Sequence, residues 1–220
     1  FAEAHRLHEE CLALKREIGY RRGVAISLVN LGYVALAQAD YARAKPLEAE
    51  ALTIFREIGY PMGVAVALNN LGFVCSMLAE NDAANAFLQE CVEICRELGH
   101  RHIAAHALGS LGNLAGARGD YRKAWHDIRA ALHTAQEIGS VSATLFGLLC
   151  VALLLARQGE SERATEVSAL VFHHSATNRD SKGRAEQLLA RLETQLPAPL
   201  WTAAQARGQT KPLEAVVTEI

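Results

Sequence analysis

Gly19, Gly59, Gly99 and Gly139 stand 40 residues apart, and so do Ala4, Ala44, Ala84, Ala124 and Ala164. A fixed period of this length restricts the chain to one supersecondary unit, repeated and stacked. No unit can bury its apolar face alone, so each depends on its neighbours for a core. Stacked helical units of this kind serve as binding surfaces more often than as catalysts.

Residues 21–60 show what one unit contains. Apolar side chains at Val24, Leu28, Leu31, Ala35 and Leu36 follow helical spacing and predict a first helix, helix A, over Gly23 to Gln38. It ends near Ala39-Asp40, which read Gly119-Asp120 two units on. Gly suits a left-handed C-cap there, and Asp can cap the next helix. A second helix, helix B, is expected from Tyr41 to Ile58, with Ala44, Leu47, Ala51, Leu52 and Phe55 inward and Gly59 as its stop. Gly32, Gly72 and Gly112 recur inside helix A, where a glycine costs about 1 kcal/mol relative to Ala. Their recurrence predicts close approach of helix B, with the Ala44 series as the facing residue.

The period fails beyond Phe172. Residues 179–195 read as one amphipathic helix with Ala185, Leu188, Leu189 and Leu192 inward. Pro197 and Pro199 interrupt it, and two short helices are expected near Leu200–Ala206 and Leu213–Glu219. The predicted fold is all-α: a right-handed superhelical solenoid of antiparallel helix pairs with C-terminal capping helices. Residues 1–175 would hold a half repeat and about four 40-residue units, and 176–220 the cap.

Bulk properties narrow the function. Half of the 220 residues are apolar, the net charge is −2 and the pI is about 6.5, so no basic excess points to nucleic acid or an anionic membrane. The most apolar stretch, Leu145 to Ala156, is too short to span a bilayer. No basic region followed by an apolar one opens the residues given, so no secretion signal is expected. Phe1 falls at the repeat position of Tyr41 and Tyr121, which leads us to expect a piece of a longer polypeptide beginning in mid-repeat. The five cysteines, Cys11, Cys75, Cys91, Cys95 and Cys150, are odd in number and lie inside helices. Buried reduced thiols in a cytoplasmic protein are the simpler expectation than a disulfide framework.

Leu28, Leu31, Gly32, Ala44 and Ala51 resemble the tetratricopeptide-repeat signature, in which small residues mark the contact of helices A and B. The next units give Leu68, Leu71, Gly72, Ala84, Cys91 and Leu108, Leu111, Gly112, Ala124, Ala131; the last, Leu148, Val151, Ala152, Ala164, is degenerate. The usual period is 34, so the helices here are longer. The phrases Glu57-Ile58-Gly59 and Ala67-Leu68-Asn69-Asn70-Leu71-Gly72 look like the C-terminal repeats of bacterial LuxR-type and related ATP-binding transcriptional regulators, some of whose relatives are fused to nucleotide cyclases. Leu200 to Gly208, followed by Leu213 to Val217, is similar to the tails of such regulators. It departs from them at Gln205 and Gln209. The resemblance implies a non-catalytic sensor or assembly arm of a larger bacterial signalling protein, with any ATPase or DNA-binding module outside this chain.

The resemblance also places helix A on a concave, partner-binding face. The outward positions are then Ile26, Val29, Asn30, Tyr33 and Ala37; Val66, Asn69, Asn70, Phe73 and Met77; His106, Ser110, Asn113 and Ala117; and Phe146, Leu149, Cys150, Leu153 and Arg157. From these, Asn30, Tyr33, Asn69, Asn70, Phe73, Met77, His106, Asn113 and Arg157 are the candidate site. Amides can hold an extended backbone, and Tyr33, Phe73 and Met77 can grip side chains; alternatively, Asn30 and Asn70 merely bond neighbouring helices. The helix-A positions lack the Lys and Arg cluster of carboxylate-clamp repeats, which disfavours an acidic C-terminal peptide. The expected partner is a protein or peptide, with no nucleic acid or membrane contact by this segment. The second reading is self-association through Leu7, Cys11, Leu14 and Ile18 of the first helix.

No catalytic set and no cofactor site emerges. There is no Walker-type phosphate loop and no Gly-x-Ser-x-Gly elbow. Cys91 and Cys95 at i and i+4, with His100 and His102 following, offer zinc-type donors. Yet Gly99 intervenes, and Cys91 takes the core position of Ala51 and Ala131, so packing is the expected role. His173-His174 is expected in a surface turn, and His8 at a packing position of the first helix. Trp125 and Trp201 are expected to anchor packing.

Overall fold

A computed structural model describes residues 2–220, and it is helical throughout apart from short connections. Phe1 and the side chains of Ala2, Ala4, His5 and His8 lie outside the described residues, and with them the expectations for Phe1, Ala4 and His8. The helices are α1 (Ala2–Glu17), α2 (Arg21–Ala37), α3 (Tyr41–Glu57), α4 (Pro61–Met77), α5 (Asn81–Leu98), α6 (Arg101–Ala117), α7 (Tyr121–Glu137), α8 (Val141–Arg157), α9 (Ser161–His173), α10 (Arg179–Glu193), α11 (Ala198–Thr210) and α12 (Leu213–Thr218). Helices α2, α4, α6 and α8 start at 40-residue steps as helices A, and α3, α5, α7 and α9 do so as helices B. The chain divides into two compact units, Phe1–Ile103 and Ala104–Ile220.

The caps follow the expected chemistry. Asp40 accepts from the Arg43 amide at 3.1 Å and Asp120 from the Lys123 amide at 3.0 Å. Gly119 closes α6 with φ +81°, in the left-handed region. Ala39 and Ala79 occupy the equivalent place with φ +57° and +59°, so these two turns take a conformation that an L side chain rarely adopts.

In the first unit α2 packs on α3, α3 on α4 and α4 on α5. Leu28, Leu31, Ala44, Ala51, Leu52, Phe55, Leu68, Leu71, Ala84 and Leu88 are all buried. Arg16 bonds Glu50 at 2.5 Å and Arg56 bonds Glu90 at 2.6 Å, the same contact one period apart. These are exposed pairs that contribute little stability but keep register along the helices B.

The glycine contact differs from expectation. A Cβ on Gly32 would lie 2.5 Å from Glu48 Oε1, one on Gly72 2.5 Å from Leu88 Cγ, and one on Gly112 2.6 Å from Ile128 Cγ1. The residue facing each glycine is therefore one helical turn beyond Ala44, Ala84 and Ala124. Those alanines are fully buried, and the Ala124 carbonyl oxygen would lie 3.0 Å from a Cβ on Gly112. Likewise Glu48, not the half-buried Leu47, is the inward residue of α3 at this level: Leu47 points about 70° round the helix from the centre of the stripe formed by Ala44, Glu48, Ala51 and Phe55.

In the second unit α7 packs on α8, α8 on α9, and α10 on both α9 and α8. Leu188 and Leu192 of α10 join Leu145, Leu148, Leu149, Val151 and Leu154 of α8 in one core. Helix α11 packs on α9, so closely that a Cβ on Gly208 would overlap the Glu166 carbonyl oxygen. Val216 and Val217 of α12 enter the same core, against which Trp125 and Trp201 pack. Arg207 bonds Glu162 at 2.6 Å and Glu166 at 2.8 Å, and Lys211 bonds Glu166 at 2.9 Å and Glu219 at 2.6 Å.

Glu48 makes stability depend on pH. Its side chain is fully buried, with Asn70 Nδ2 donating to Oε1 at 3.0 Å and no hydrogen bond to Oε2. Burial pushes its pKa up to about 8, partly offset by the Asn70 bond. The unfolded chain releases this proton near pH 4.5 and the folded chain only near 8, so stability falls as pH rises between the two. Glu48→Gln keeps an acceptor for Asn70 without the charge. Thermal unfolding at pH 5 and pH 8.5 should show a gain of about 1–3 kcal/mol for this variant at the higher pH and little difference at the lower.

Candidate functional site

In the first unit the helix-A positions form a graded surface. Tyr33 is 64% exposed and Ile26 38% exposed, and Asn30 and Ala37 lie beside them on α2. On α4, Met77 is 37% exposed, while Val66, Asn69, Asn70 and Phe73 are half-buried. Phe73 meets the Tyr41 ring edge-on at 6.3 Å between centroids. The face therefore offers aromatic and apolar side chains with polar edges, spread over two helices whose backbones are fixed by the core beneath.

The asparagines separate. Asn70 Nδ2 is committed to Glu48, and its Oδ1 lies 3.5 Å from Asn69 Nδ2. Asn70 thus serves as the partner of a buried carboxyl on the neighbouring helix. Asn30 remains exposed on α2. The sequence treats the two alike because the Asn-Leu-Gly phrase recurs; the difference comes from the charged residue at position 48, opposite Asn70.

In the second unit the outward face is largely closed. Phe146, Leu149 and Cys150, expected to line the groove, are buried, and Ser110 is 9% exposed. Helices α6 and α10 both close it: Phe146 and Cys150 pack against Gly109 of α6, and α10 lies against α8. His106 stacks on Phe146 at 4.9 Å between ring centroids, and the Arg184 guanidinium sits 6.0 Å from the same ring on its α10 side. Arg157, half-buried, donates to Asn113 Oδ1 at 2.8 Å. Of the candidate residues on this unit, His106, Asn113 and Arg157 keep partial exposure. Arg184 and Arg191 of α10 also border the face, and the sequence reading omitted them. Their phase was the available signal: α10 begins within two residues of the next expected helix A.

The cysteines are free thiols; Cys75, Cys91, Cys95 and Cys150 are buried and Cys11 is half-buried. Cys91 and Cys95 have sulfurs 3.9 Å apart, and Cys91 Sγ lies 3.3 Å from the Ala65 carbonyl oxygen. The Cys95 contact, together with burial, pushes the Cys91 thiol well above its ordinary range, which suits packing and disfavours nucleophilic use. His100 Nδ1 accepts from the Ile103 amide, and His174 Nδ1 from the Ala176 amide. No three His, Cys, Asp or Glu side chains stand together as metal donors among the described residues.

Antiparallel helix pairs recurring every 40 residues, joined through a glycine on helix A, define a helical-repeat protein. Residues 63–137 and 24–58 each match the tetratricopeptide repeat, and the chain is a tetratricopeptide-repeat domain. Repeats of this family mediate protein–protein interaction, and no enzymatic family is indicated. No curated protein matches the chain. Among solved structures, the crystal structure of BtubC (BKLC) from P. vanneervenii is similar, with a TM-score of 0.65 over 100% of this chain and 92% of that one. At 14% identity the two share a fold. No described helix is long and apolar enough to cross a membrane.

The two asparagines should behave differently on truncation. Asn70→Ala leaves Glu48 without its donor and should cost about 1–3 kcal/mol. Asn30→Ala should stay within about 0.5 kcal/mol of the parent. Denaturant titration of both variants checks this.

Proposed function

We propose that this chain is a non-catalytic, polypeptide-binding arm of a larger bacterial transcriptional or signalling regulator, and that its partner lies along the helix-A face. The observation that carries the reading is the exposure of Tyr33, Ile26 and Met77 on helices whose other large apolar residues are buried or half-buried. Large apolar side chains left out on a rigid scaffold are the features that bound partners desolvate. Asn30 supplies an amide beside them for a partner backbone, whereas Asn70 belongs to the scaffold. Residues 176–220 act as the cap: α10 covers α8, and α11 and α12 cover α9 and the core behind it. The regulator context rests on the resemblance of the repeat phrases and of the Leu200–Val217 tail. The cytoplasm, where such regulators act, is the proposed compartment.

A second reading is self-association, favoured by α1 and the turn after it, where Leu7, Leu14 and Ile18 are 51%, 61% and 73% exposed. One cross-linking experiment separates the two. A photo-reactive phenylalanine analogue at position 33 should capture a foreign polypeptide in the producing cell, while the same group at Thr53, exposed on helix B, should not. Tyr33→Ser together with Met77→Ser should weaken binding of the captured partner at least tenfold. Capture only of a second copy of this chain, and only from position 18, would replace the first reading by the second.

A further inference from the structure

The C-terminal half of α5 carries a pair of groups that the proposed partner surface does not use. Ala84, Leu88, Cys91 and Cys95 form the buried stripe of this helix, and Cys91 and Cys95 are 0% and 1% exposed. Both are free thiols. Their sulfurs lie 3.9 Å apart on one side of the helix, and the Cys91 thiol donates to the Ala65 carbonyl oxygen of α4 at 3.3 Å. Helix α4 packs directly on α5, so the pair is a dithiol enclosed between two helices.

The gap between the sulfurs decides what can bridge it. A disulfide needs about 2.05 Å, so it would draw the sulfurs about 1.9 Å together within one helix. A linear two-coordinate cation with bonds of about 2.3 Å, the length of a zinc–thiolate bond, needs about 4.6 Å. It would push a close-packed core apart. Zinc itself takes four donors, and no three stand together among the described residues. A bent centre with bonds of about 2.3 Å spans the observed 3.9 Å at an angle of about 115°. Trivalent arsenic is a pyramidal, thiol-seeking centre of this kind.

Charge selects the same ligand. Copper(I) on two thiolates would leave a net negative charge in a buried place, which desolvation penalises. Arsenous acid is uncharged near neutral pH, and so is its product with two thiols. In the condensation two As–O bonds and two S–H bonds break, two As–S bonds form, and two waters leave. Arsenic stays trivalent and the sulfurs stay reduced, so no oxidant is needed. Each thiol proton departs with a hydroxyl, and a thiol that stays protonated is therefore the reactive form. The Ala65 carbonyl oxygen, which the Cys91 thiol gives up, can accept from the hydroxyl that arsenic keeps. Cys95 lies one turn from the end of α5, where Arg96, Glu97 and Leu98 are exposed, so opening of that last turn uncovers it.

We propose that Cys91 and Cys95 form a dithiol site for trivalent arsenic, taken up as arsenous acid, which clips the last two turns of α5. The site is independent of the helix-A partner face, and neither reading depends on the other.

The test uses the full chain, reduced with a phosphine so that no competing thiol is present, and incubated with sodium arsenite. Arsenic retained after gel filtration is counted by elemental analysis, and protected thiols by alkylation and peptide mapping. The parent should retain one arsenic per chain, protect Cys91 and Cys95, and melt at a higher temperature with arsenite than without. Cys91→Ala and Cys95→Ala should each weaken retention at least tenfold and lose the thermal shift. Both place alanine where the repeat already buries one, at Ala51 and Ala131 for the first and Ala135 for the second, so a cooperative melt is expected of each. Cys11→Ala and Cys75→Ala should bind as the parent does. Failure of the parent to retain arsenic, or equal retention by Cys91→Ala or Cys95→Ala, overturns the site. Loss of the same two thiols without arsenite would mean a disulfide and would overturn the arsenic assignment.

Discussion

Everything in this chain hangs on the place where a glycine of helix A lets helix B come within contact of its backbone. Gly32, Gly72 and Gly112 each give up about 1 kcal/mol of helix propensity and receive a large buried side chain one turn past the conserved-phase alanine. Leu88 and Ile128 fill that place with hydrocarbon, and each is fully buried. Position 48 fills it with a carboxyl group, which then needs Asn70. One polar residue at a packing position thus takes an amide away from the outer face and makes the first unit sensitive to pH.

The C-terminal helices decide what the second unit can offer. Leu188 and Leu192 of α10 share a core with Phe146, Leu149 and Cys150, two of which also pack against Gly109 of α6. The arginines of α10 then border what remains open. Behind it, α11 seats Gly208 on the α9 backbone, and Arg207 and Lys211 bind the Glu162 and Glu166 side chains of α9. The apolar opening of the last repeat is closed from two sides, and a basic rim replaces an aromatic one.

The period of 40, the helix bounds and the buried stripe were legible because a repeat states each of them several times over. Gly32, Gly72 and Gly112 were legible as close-approach residues for the same reason. Their partners were not: choosing inward residues by apolar character selects Leu47 and passes over Glu48, although the helical phase puts Glu48 inside. The proposed partner face follows a row of positions on helix A, and Tyr33 and Met77 are exposed there as the phase requires. The fate of Phe146, Leu149 and Cys150 was not legible, because it is set by how α6 and α10 pack on α8: Gly109 admits Phe146 and Cys150, and the repeat signature has faded by residue 179. Arg184 and Arg191 were missed for that reason too.

The central claim is that the helix-A glycine and the large residue opposite it form one energetic unit. A double-mutant cycle on Gly72 and Leu88 measures this directly, with unfolding free energies for Gly72→Ala, Leu88→Ala and the pair. If the added Cβ occupies the space that Leu88 fills, the double variant should be more stable than the sum of the single losses predicts, by about 1 kcal/mol or more. Additive losses, within about 0.3 kcal/mol, would mean that the two residues do not meet as described and would contradict the account.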